Sequence, residues 1–260
     1  MILIRHELKR GWKTLLIWTL AISFFIIVCM VIYPEMKSQM DSLNTLFSSM
    51  GSFTSAFGLD TLDYGTLKGY YGIECGEVLG IGGALFAALL GIGALAGEEK
   101  NGTAEFLLTH PRSRAQIIAA KLGSVLTQIT ILNLVVWLIA ITSTAAIGEA
   151  VPWREFALLH LSYYFLQIEV ACICFGISAF IWKGGVGIGL GLAITFYFAH
   201  IVANLTDQAG FLDYITPFGY ADGAEIYRSG LMTDRLLIGL AFTLAGVGAA
   251  FWKYSKKDIR

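Results

Sequence analysis

Charge is what this chain has least of. Asp, Glu, Lys and Arg make up 14% of its 260 residues, where a soluble domain carries about a quarter. That is too little to cover a water-facing globule. With 56% hydrophobic residues, the chain falls in the membrane class. The formal net charge is -1, so there is no basic excess to hold nucleic acid and no acidic tail. Cysteine is scarce as well. Cys29, Cys75, Cys172 and Cys174 lie within apolar runs or near the start of one. Cys172-x-Cys174 lacks the two-residue gap of a redox motif and has no second pair to complete a zinc site. These four read as small packing residues.

The motifs of several chemistries are also missing. None of His6, His110, His160 and His200 belongs to a His-Glu-x-x-His metalloprotease motif. There is no Gly-x-Ser-x-Gly nucleophile elbow. No Gly-x-x-x-x-Gly-Lys-Ser/Thr phosphate loop occurs, so any use of ATP requires a separate subunit. Catalytic, cofactor-binding and metal-binding residues are therefore not assigned.

What is present is long apolar sequence. A membrane-crossing helix needs about 20 mostly apolar residues. Six stretches qualify: 15–33, 78–96, 122–147, 157–182, 186–205 and 236–252. Pro34 is expected to end the first. That run is long for a signal-peptide core and no small-x-small site follows it, so it reads as an uncleaved span. The preceding Ile2–Trp12 has an apolar and a basic side, the pattern of an amphipathic interfacial helix.

Lys and Arg in short loops orient such a bundle. With the N-terminus inside, the inner segments hold Arg5, Lys9, Arg10, Lys13, Lys100, Arg112, Arg114, Lys121, Lys183, Lys253, Lys256, Lys257 and Arg260. The outer ones hold Lys37, Lys68, Arg154, Arg228 and Arg235, a ratio of 13 to 5. Both termini are expected in the cytoplasm. Trp12, Trp18, Tyr33, Trp153, Trp182 and Trp252 fall near span ends, as an aromatic belt does.

No soluble domain is apparent, so residues 1–260 read as a single transmembrane domain. The segment between spans five and six is rich in Phe, Tyr and Ile. It is too apolar for a free loop and reads as a re-entrant or interfacial helical hairpin. Spans two and five are rich in glycine, which lets membrane helices approach closely. Gly83 and Gly187 are the expected central contacts between two chains.

Four ionisable residues are candidates for a pathway. Glu169 lies deep in span four, with His160 and Gln167 on the same helix. Such a residue faces a wet cavity or pairs with a neighbouring helix, and both readings stay open. Glu74 and Glu77 stand one helical turn apart just before span two, and His200 stands near the outer end of span five.

The most informative stretch lies between spans two and three. It runs Glu98-Glu99, then Gly102-Thr103-x-Glu105, Phe106-Leu107-Leu108, Pro111-Arg112-Ser113-Arg114, and Lys121. Thr103 can cap a short helix with Glu105 in its first turn. Phe106, Leu107 and Leu108 then form an apolar ridge suited to a partner's groove. Pro111 stops the helix, and Arg112 and Arg114 can pair with acids or lipid phosphates.

In this order of residues the loop resembles the signature of ATP-binding-cassette (ABC) type-2 exporter permeases. The resemblance is specific over about 25 residues, and the six-span layout and basic tail agree with it. It implies an all-α integral membrane protein and a plasma (inner) membrane location in a bacterium. It also implies transport driven by an ABC ATPase subunit that carries ATP and Mg. The second half of the transporter would be another permease copy or a homologous permease. In this reading the chain is not itself an enzyme. The competing reading is a stand-alone membrane carrier or enzyme built on Glu169, His160 and His200. An accessory subunit that shares the docking loop is a third.

Overall fold

In a computed structural model of the protein, residues 2–40, 50–51, 54, 62–100, 113–182 and 185–256 are described. Among them the fold is all-helical, without strands. The α-helices are α1 (Ile2–Ser38), α2 (Leu67–Tyr70), α3 (Gly76–Lys100), α4 (Arg114–Ala146), α5 (Trp153–Ser178), α6 (Val186–Leu205), α7 (Gly223–Ser229) and α8 (Thr233–Lys256). A π-helical turn, Tyr71–Cys75, joins α2 to α3 without a break. Six helices are long and apolar enough to cross a bilayer.

Two boundaries differ from the sequence reading. The basic segment 2–12 is not a separate interfacial helix, because α1 runs through it into the span. Pro34 does not end that helix but lies inside it. Proline removes one backbone bond near the helix end, and the last turn is braced by Ser38 Oγ donating to the Glu35 carbonyl at 2.7 Å. The second span also begins earlier than expected. Thr66 caps α2 by accepting from the Gly69 amide at 3.2 Å, so Glu74 and Glu77 are inside a continuous helix rather than outside it.

α3 and α5 form the centre. In the most apolar window of α5, 67% of residues are buried, against 11% in α8. Glycine makes this centre possible. A Cβ built on Gly91 would run into the Ala171 carbonyl, and one on Gly83 into the Gln167 amide. Gly176 of α5 would meet the Gly246 carbonyl of α8 at 2.6 Å. α1 and α4 close up through Gly11, whose Cβ would lie 2.5 Å from Gln128 Oε1. The outer faces carry bare apolar side chains, among them Ile17, Leu134, Phe198, Leu237 and Leu244. A water-soluble surface does not carry such a continuous patch; a lipid-facing one does.

Side-chain contacts fix which helix ends lie together. Glu7 of α1 pairs with Lys121 of α4 at 3.0 Å. Arg114 at the start of α4 reaches the end of α8. Lys253 of α8 lies over the Phe180 ring just past α5. The two described chain ends are therefore at the same end of the bundle. At the opposite end, Lys37 pairs with Glu149 at 2.7 Å.

Trp12, Trp153, Trp182 and Trp252 are exposed near helix ends, where a belt belongs. Tyr33 is not part of it. It is buried, donates to the Gly65 carbonyl at 3.3 Å and packs on Tyr70.

Candidate functional site

Two polar regions stand out, one at each end. The first is the frame of the loop between α3 and α4. Glu98 and Glu99 lie in the last turn of α3. Gly102, Thr103, Glu105, Phe106, Leu107, Leu108, Pro111 and Arg112 lie outside the described residues. Beyond them Ser113 caps α4 by accepting from the Gln116 amide at 3.3 Å, and the Gln116 side chain returns to the Ser113 amide. This capping box satisfies two otherwise orphaned donors and gives α4 a defined start.

Arg114 does not point at an outside partner. Its guanidinium donates to the carbonyls of Tyr254 at 3.3 Å and Ser255 at 3.2 Å. The last carbonyls of a helix lack partners and carry its negative dipole end, so a cation there is stabilising. Tyr254 itself is fully buried. The Ser-Arg of the signature thus fixes the exit of the loop to the end of α8, and Lys121 fixes it to α1.

The second region lies at the opposite end. Ring nitrogens of His200 face two carboxylates, Asp213 at 3.0 Å and Asp222 at 3.4 Å. Asn204 lies 3.3 Å from His200 Nε2. Arg235 donates to Asp213 at 3.4 Å and to the Gly219 carbonyl at 2.5 Å. Asp222 lies outside the spans. Burial pushes its carboxyl up, but the hydrogen bond and charge of His200 pull it further down, and the net is a lowered pKa.

The expected hairpin between spans five and six is a chain of short helical turns: 3₁₀ segments Asp207–Tyr214 and Pro217–Tyr220, then α7. His200 ties both 3₁₀ segments' flanks to α6. Thr216 Oγ1 adds a bond to the Phe196 carbonyl at 2.8 Å. Glu77 and His200, predicted separately, line the same cavity with Tyr163, Tyr197 and Asp222. Its volume is about 30 Å³, room for about one water. It passes nothing larger in this conformation.

The other candidates are held apart. Glu74 accepts from Tyr64 Oη at 2.5 Å. Glu169 is 2% exposed and accepts from Tyr220 Oη at 2.7 Å. It is backed by Gly239 of α8, where any Cβ would strike it. Burial, then the neighbouring Glu169, pushes the Tyr220 phenol far up, so the hydroxyl stays a donor. His160 faces Tyr71 Oη at 2.9 Å. Glu169, His160 and His200 thus have three separate sets of partners, and among the described residues no cluster suited to a metal occurs. Tyr220→Phe is expected to destabilise the protein by about 1–3 kcal/mol, read as a lower melting point in detergent. Adding Glu169→Gln should recover most of that loss.

Gly83 is not available to a second chain, because it is buried against Gln167 of the same chain. Gly187 is exposed, with nothing within 4 Å of a built Cβ. Tyr197, Asp213, Tyr220, Asp222 and Arg235 were not among the predicted site residues. The signal for them was present: each is a polar side chain in or beside an apolar run.

The model of the family described as ABC-2 family transporter protein matches residues 1–259. The chain belongs to the ABC-2 transporter family. Among curated proteins, none matches it. As an ABC-2 protein it is a multi-pass membrane protein and a permease component of an ABC transporter. The family's role in general implies an ABC ATPase partner.

Proposed function

We propose that this chain is the membrane half of an ATP-driven exporter in a bacterial plasma membrane. A separate ABC ATPase binds residues 98–112, and two permease chains, identical or homologous, form the transporter. The termini face the cytoplasm, as the 13-to-5 distribution of Lys and Arg favours. The observation that carries the reading is the anchoring of the loop. Its exit is capped by Ser113 and tied through Arg114 to α8, and Lys121 ties α4 to α1. A push on such a loop reaches three membrane helices at once. Nucleotide-driven movement of the ATPases would be transmitted through those ties, and Glu77 and His200 line the region that would have to open at the far end. Gly187 is the remaining candidate for contact between the permease chains.

The experiment is co-purification of the detergent-solubilised protein from its own membranes, with mass spectrometry and an ATPase assay. The Glu105→Arg, Leu107→Asp variant runs in parallel. The expected result is a protein with a phosphate loop that accompanies the wild type, with at least about tenfold less on the variant. Equal recovery on both removes the loop from the contact. Activity without any nucleotide-binding partner would favour a stand-alone carrier instead.

A further inference from the structure

A cleft of about 430 Å³ opens between α1, α3 and α4, near the end that holds the chain termini. Small-molecule sites span about 300–1,000 Å³, so it is large enough for part of a lipid. Its walls differ in character. α1 and α4 contribute Glu7, Arg10 and Lys121, while α3 contributes Leu89, Leu90 and Gly93. Two cations and one carboxylate leave the lining biased toward an anionic guest. Lys121 is 3% exposed and bonded to Glu7, so the charge is held in place rather than waving in solvent.

The depth of the two walls also matters. Glu7 and Arg10 precede the apolar run that begins at Leu15, whereas Leu89 and Leu90 lie within the apolar run of α3. The charged part therefore stands at headgroup level and the apolar part at acyl-chain level. A Cβ built on Gly93 meets nothing within 4 Å, so the missing side chain leaves a trough beside Leu89 and Leu90. A free phosphate would leave that trough unused, and an uncharged hydrocarbon would leave the cations unused.

We propose that this cleft binds one anionic phospholipid, its phosphate on Arg10 and Lys121 and an acyl chain along Leu89, Leu90 and Gly93. The bound lipid ties α1 to the α3–α4 pair that frames the loop. The inference requires the bilayer only, and stands or falls separately from the ATPase partner.

Native mass spectrometry of the purified full-length protein tests it, with phosphatidylglycerol, phosphatidylcholine or inorganic phosphate as probe. Gly93→Leu fills the trough without touching a charge, and Arg10→Gln removes one cation. Wild type is expected to take one phosphatidylglycerol at least about fivefold more tightly than phosphatidylcholine, the effect of roughly one basic contact. Each variant should weaken that binding by at least about fivefold, and excess inorganic phosphate should not displace the lipid. Equal affinity for the two lipids overturns the proposal, as does undiminished binding to a folded Gly93→Leu protein. Displacement by inorganic phosphate would mean that the cations hold a free anion, and also overturns it.

Discussion

Gly91→Val is expected to stop the protein from accumulating in a folded state, while Gly97→Val on the same helix accumulates normally. At Gly91 the added Cβ meets the Ala171 carbonyl and lies 2.9 Å from Cys174 Cβ. A carbonyl in the middle of a helix cannot rotate aside, so α3 and α5 must separate. These are the two central helices, and each leans on the others. Overpacking a core costs about 1–3 kcal/mol even where side chains can yield, and here the obstacle is backbone, so about 3 kcal/mol or more is expected. Gly97 has nothing within 4 Å of its built Cβ. The measurement is the yield of monodisperse protein by size-exclusion chromatography after detergent extraction. Normal yield of Gly91→Val would mean that the α3–α5 contact is looser than described.

His200→Ala is expected to release the outer segment while leaving the bundle intact. His200 stands between Asp213 and Asp222, all three largely buried. Removing one member of a buried ionic group leaves the rest uncompensated, at a cost of about 3–5 kcal/mol. Asp213 retains Arg235, so the larger burden falls on Asp222. Hydrogen exchange over 207–229 should accelerate by roughly a hundredfold or more, with α3 and α5 unchanged. Acid should act in the same direction. A carboxyl depressed in the folded state stabilises above its unfolded pKa and loses that contribution as pH falls through the folded one. Since Asp222 is held below its usual value, the contribution persists at neutral pH and is lost only below the ordinary carboxylate range. In the His200→Ala protein this acid dependence should be absent or reversed.

The six spans were legible in the sequence because the bilayer imposes one length and one composition on every crossing. The common end of the two chain termini follows from an even number of crossings. The helix limits were harder to read. Outside the hydrocarbon a helix continues wherever caps and side-chain bonds support it, as Thr66 does for α2 and the Glu35 carbonyl for the turn beyond Pro34. Hydropathy is silent about such bonds.

Glycine content located close approach correctly but not its partner. Gly83 and Gly187 look alike in sequence, yet one presses on Gln167 and the other faces open space. A small residue says that some backbone comes near and leaves open which one. The polar candidates met a similar limit. Glu169 was visible as a buried acid, but its partner, Tyr220, is 51 residues away in an irregular segment. Arg114 was visible as a conspicuous cation, and only the fold shows that its acceptors lie 140 and 141 residues on.

The most direct test of the central claim is site-specific photo-crosslinking in intact membranes. A photo-reactive residue is placed at Leu107, between α3 and α4, and in a second protein at Glu149, at the opposite end. The account predicts a crosslink from position 107 to a cytoplasmic protein that carries a phosphate loop, and none from position 149. A crosslink to that protein from 149 and not from 107 would contradict both the orientation and the docking role of the loop.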